Sequence, residues 1–106
     1  MKPFKPYYVA IFTSKRTGID EEGYEKMNKI AADLVEDQKG FLGMESFSSA
    51  NGRHVTIVRF ETEMDIANWK MNEKHKEAQL LGREKWYSYY NVKVCKVERE
   101  YEFNKA

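Results

Sequence analysis

The chain has 106 residues, 42% hydrophobic and 33% charged, and its 18 basic and 17 acidic side chains leave a formal net charge of +1. One domain fits that length, here 1–106 with a core over about 7–103, and disordered or fibrous chains are excluded. With no basic excess and no apolar run near the roughly 18 residues of a membrane span, neither nucleic acid nor membrane is an expected partner.

The opening residues, Met1-Lys-Pro-Phe-Lys-Pro, lack the apolar stretch and cleavage site of a signal peptide. Cys95 is the single cysteine and cannot form an internal disulfide, so a reducing, cytoplasmic location is expected. Tyr7 to Thr13 is a β-branched and aromatic run that reads as a strand. Asp20 is a candidate N-cap for a helix in which Tyr24, Met27, Ile30, Ala31, Leu34 and Val35 recur at helical spacing, ending by Gln38-Lys39-Gly40. Phe41 to Ser49 and His54 to Glu61 predict two strands, with Asn51-Gly52 as a type I′ hairpin turn. Thr62 and Asp65 have the spacing of a capping box opening a short helix through Ile66 and Trp69. A break near Asn72 precedes a second helical stretch, about Glu73 to Tyr87, and the chain closes on a strand from Tyr90 to Phe103.

This order is α+β: a ferredoxin-like split βαβ with a four-stranded antiparallel sheet and helices on one face. The first strand is apolar on both faces. The last changes phase between Val92, Val94 and Val97, Tyr101, Phe103, which predicts a bulge near Cys95 and Lys96 or burial of both faces. One helical layer covers one face only, and an aromatic face left in water is an aggregation hazard. A homodimer with sheets packed face to face is therefore expected.

The segments YYVAIFTSKRT, KGFLGMESF, HVTIVRFET and DIANWKMNEKHKEAQLLGREKWYSYYNVKVCKVEREYEF resemble the antibiotic biosynthesis monooxygenase family over nearly the whole chain. The resemblance implies a dimeric α+β barrel. It also implies a cofactor-independent oxygenase acting on a small aromatic or polycyclic phenol. A non-catalytic dimer holding a small aromatic ligand, and a structural dimer with a filled interior, are the alternatives.

At 100° per residue Met71, His75, Ala78, Leu81 and Gly82 share one helix side, with Trp86 at its margin. His75 there is a candidate base for a phenolic substrate, and Arg83 a candidate stabiliser of the anion formed. Trp69 and Trp86 are candidate walls for a planar ring, and Asn68 a candidate donor to a substrate carbonyl. The space they share is expected between helices and sheet within each subunit.

No metal-ligand cluster, phosphate loop, flavin or nicotinamide motif stands in the sequence, so no cofactor is expected. Haem-degrading relatives carry an Asn on the first strand and a ligating His about ten residues after a Trp. Here the first strand has no Asn, His75 follows Trp69 by six positions and Gln79 stands at the tenth. Haem degradation is not expected.

Overall fold

The computed structural model describes residues 4–105, with Glu73 and Lys74 described by backbone alone; the part of the signal-peptide reading that rests on residues 1–3 lies outside them. The elements are β1 (Tyr7–Arg16), α1 (Glu21–Glu36), β2 (Phe41–Ser48), β3 (Arg53–Phe60), α2 (Glu63–Lys70), α3 (Glu73–Leu81) and β4 (Tyr87–Val97). A π-helical turn, Gly82–Trp86, joins α3 to β4. The four strands form one antiparallel sheet in the order β2-β3-β1-β4, with the helices on one face. The fold is the expected α+β, ferredoxin-like one.

Local chemistry sets most of the boundaries. Asp20 caps α1, accepting from the Gly23 N–H, and Glu21 and Glu22 stand in the first turn where the helix dipole favours them. At α2 the Thr62 hydroxyl accepts from the Asp65 N–H while the Asp65 carboxylate accepts from the Thr62 N–H, the full capping box. Asn72 caps α3 by accepting from the His75 N–H at 3.2 Å.

The core sits under α1 and α2. Val35, Phe60, Ile66 and Trp69 pack together, with Tyr8, Ala10, Leu34, Phe41 and Val58 against them. Gly40 sustains this packing. Its φ of +82° suits glycine, and a methyl group there would overlap the Asp65 carboxylate. Gly40→Ala is expected to lower stability by about 2 kcal/mol or more, read as a shift in the urea midpoint. An unchanged midpoint would mean that the α2 cap yields freely.

Four expectations change. The hairpin is not type I′: Gly52 alone has positive φ, Asn51 does not, and the Gly52 N–H bonds the Ser49 carbonyl. The side chain of Asn51 instead accepts from the Arg53 N–H, satisfying the turn by another route. The bulge between β1 and β4 lies at Lys15/Arg16, while the pairing through Cys95 and Lys96 is regular. The last strand stops at Val97, and Tyr101 and Phe103 beyond it are 88% and 85% exposed, so the phase change marks the strand's end. Finally, Ile30 and Met71 turn outward, at 44% and 61% exposure.

Candidate functional site

Between the helical layer and the sheet lies a cavity of about 500 Å³, within the range of small-molecule sites. It lies on the helix-facing side of the sheet, where the sequence reading expects it. Phe12, Val92 and Val94 form part of its floor, Tyr24, Met27, Ala31 and Val35 one wall, and His75, Ala78, Gln79, Arg83 and Trp86 another. Trp69 closes the end over the core. Four of the five expected site residues, Trp69, His75, Arg83 and Trp86, line this one space. Asn68 does not: it is exposed, because Asp65, Ile66 and Trp69 form the buried side of α2 and Asn68 falls about 100° away from Trp69.

His75 follows Trp69 across the break at Asn72, and the two rings meet edge to face with centroids 4.4 Å apart. The imidazole Nδ1 is buried and has no hydrogen-bond partner among the described residues. Burial pushes its pKa down to about 4, so the ring is neutral at pH 7. A neutral imidazole carries one donor and one acceptor nitrogen, so the ring that lines this cavity can accept a proton at whichever nitrogen is bare.

At the opposite end the π-helical turn presents Arg83. It arises where Gly82 lies against the Tyr87 ring: a Cβ there would come within 2.8 Å of that ring. The Tyr87 N–H bonds the Gly82 carbonyl, five residues back. Such turns recur at functional sites because they re-aim side chains. The Arg83 Nε donates to the Tyr90 hydroxyl at 2.9 Å, not to Glu77 or Glu84. Trp86 is 4% exposed, and its indole N–H donates to Asp20 at 3.3 Å, tying the cavity wall to the α1 cap. Around it Phe12, Tyr24, Tyr87 and Tyr90 pack with ring centroids 5.4–6.0 Å apart. Burial holds the Tyr87 phenol well above its usual pKa, so it remains protonated.

His75 and Arg83 are eight residues apart, roughly 12 Å along the helix axis. They occupy opposite ends of the cavity. Among the lining residues that sequence reasoning did not place in the site are His54 and Tyr90. The available signal was strand parity, since His54, Thr56, Val58 and Phe60 alternate onto one face and Phe60 is core.

Over 98 residues, 92% of this chain and 85% of the other, the sequence is 38% identical to YqjZ of Bacillus subtilis, an uncharacterized protein. The chain belongs to the YqjZ family. No protein-family model matches it. Among solved structures, this YqjZ-family chain superposes on SnoaB, a cofactor-independent oxygenase from Streptomyces nogalater, with a TM-score of 0.71. The match covers 92% of this chain and 97% of SnoaB at 8% identity. A Nitrosomonas europaea protein provisionally assigned as an antibiotic biosynthesis monooxygenase gives 0.69 at 13% identity, covering 90% of this chain and 92% of that one. SO0527 of Shewanella oneidensis gives 0.75 at 9% identity, covering 91% and 95%. The fold is thus the one shared by SnoaB and the Nitrosomonas europaea protein provisionally assigned as an antibiotic biosynthesis monooxygenase. No helix among the described residues is long and apolar enough to cross a membrane.

Proposed function

We propose that this chain is a cofactor-independent monooxygenase that oxidises a small aromatic or polycyclic phenol with O₂. The observation that carries this reading is His75: a neutral imidazole with an unpartnered buried nitrogen, set against Trp69 in a largely apolar cavity. The likeness in fold to SnoaB supports it.

The chemistry is that of an activated ring CH₂ beside a phenol. His75 accepts one CH₂ proton, and the conjugated carbanion passes its electrons to O₂, forming a C–O bond to a peroxide anion. His75 returns the proton to that peroxide. Loss of water, taking the second CH₂ hydrogen, then leaves a carbonyl. One oxygen atom enters the product and one leaves as water, with the substrate supplying all four electrons. Trp69 and Trp86 hold the ring plane, and the apolar walls exclude water from the carbanion. Because His75 and Arg83 are far apart, a polycycle long enough to meet both lets one take the proton while the other favours the charge delocalised to the far ring.

The working unit in this reading is a homodimer. The sheet face away from the helices carries Val9, Ile11, Val55 and Ile57 in neighbouring register, with Phe47 57% exposed at its edge. A second copy laid sheet to sheet would cover it, burying on the order of 2,000 Å².

A non-catalytic ligand-binding dimer is the second reading, and the low basicity of His75 favours it: a base with a pKa of about 4 drives proton abstraction weakly. Oxygen uptake separates the two. Protein added to a panel of hydroquinones and anthrones, without cofactor, is expected to accelerate O₂ consumption well above the spontaneous rate. Binding of the same compounds with no acceleration would favour the carrier.

A further inference from the structure

Across the sheet, at the Arg83 end of the cavity, one row of side chains is polar on all four strands. Ser48 pairs with His54, His54 with Ser14, and Ser14 with Tyr90, all on the helix-facing side. The Ser48 hydroxyl lies 2.8 Å from His54 Nδ1, which leaves Nε2 as the unengaged ring nitrogen on a residue that lines the cavity. Arg83 spends only Nε on Tyr90, so its two Nη groups remain, and the Tyr90 oxygen, already accepting, keeps its own hydrogen to donate. Beneath them the Ser14 hydroxyl is fully buried with no partner among the described residues. His54 and Tyr90 stand two strand spacings apart, roughly 10 Å. That span admits a small planar group between them, under Arg83.

The charges of the cavity point the same way. Its lining includes Arg83 and Lys70 but no Asp or Glu, in a chain with 17 acidic residues. Among the described residues Arg83 makes no ion pair. A guanidinium with unused donors beside a wall free of carboxylates is a site for an anionic oxygen group.

The geometry points to a carboxylate subsite at the Arg83 end of the cavity, in which Arg83, Tyr90 and His54 hold the acid group of an aromatic carboxylate whose rings extend inward towards Trp69. This deepens the reading above and rests on it only in taking the cavity to be a site for an aromatic ligand. Just inward of the polar row the β1 and β4 positions are Phe12 and Val92, while β3 and β2 keep Thr56 and Ser46, hydrogen-bonded to each other. The floor thus turns apolar on its β1–β4 side, which suits the ring system of such a ligand.

Tryptophan-fluorescence titration with 2-anthracenecarboxylate and with uncharged 2-(hydroxymethyl)anthracene tests this, at pH 7.5 and low salt. The carboxylate is expected to bind about ten-fold more tightly than the alcohol. In Arg83→Gln and in His54→Gln the ratio should fall towards one, while Lys70→Gln leaves it in place. Equal affinity of the two probes for the native protein overturns the subsite and leaves the cavity reading standing. So does a preference that survives Arg83→Gln or vanishes only in Lys70→Gln. Binding of neither probe overturns the subsite and the cavity reading together. Oxygenase activity does not enter the measurement, so a protein that consumes no O₂ can still show the preference.

Discussion

Replacing His75 with phenylalanine is expected to lower turnover by about 10²–10⁴-fold and to stabilise the fold at the same time. The loss follows from removing the proton acceptor, while phenylalanine keeps a flat ring against Trp69. The gain follows because a buried Nδ1 without a partner costs about 1–3 kcal/mol that an apolar ring does not incur. A pH signature accompanies it. With a folded pKa of about 4 against 6.5 unfolded, titration of the imidazole adds no pH dependence to stability above pH 6.5, where both states are neutral. As pH falls from 6.5 to 4 the unfolded chain takes up a proton that the folded chain refuses, and up to about 3 kcal/mol is lost. Below pH 4 both states bind it and the loss levels off. Urea titrations across that window should show this slope in the native protein and its disappearance in His75→Phe. A variant with unchanged turnover would remove His75 from the chemistry.

Val9→Asp is expected to abolish assembly, with the chain recovered unfolded or aggregated. Val9 lies on β1, an interior strand of the sheet, on the face away from the helices, and is 8% exposed. A carboxylate there, opposite Cys95 and Arg59, would be buried further by a second sheet. Ile11→Asp, one step along the same face, should act alike. Sedimentation of the native protein supplies the complementary reading: a dimer at micromolar concentration is expected. A stable native monomer, together with a folded Ile11→Asp variant, would contradict sheet-to-sheet packing.

What the sequence disclosed was local chemistry. Thr62 and Asp65 specify their capping box within three residues, and Asp20 its helix start, so both elements begin as expected. Helical spacing made legible only that His75 and, at its margin, Trp86 share one side; Trp69 reaches the same space from α2 and Arg83 from the π-helical turn. What was hidden depends on contacts between distant parts. The π-helical turn forms where Gly82 meets the Tyr87 ring, which no periodicity records. The row from Ser48 through His54 and Ser14 to Tyr90 exists only once three strand registers are known. Asn68 was misplaced because α2 is short and polar, so its buried side could be found only from its packing. The end of β4 was hidden for a different reason. Residues beyond Val97 continue the aromatic pattern of a strand without a neighbour to pair with.

The central claim is that the cavity itself oxygenates a phenolic ring with O₂. A turnover under ¹⁸O₂, with chelator-treated protein and an anthrone that the protein consumes, tests this most directly by mass spectrometry of the product. One ¹⁸O atom per product molecule, formed at a rate that collapses in His75→Phe, is the result expected. Unlabelled product, or labelling at the same rate with and without the protein, would contradict it.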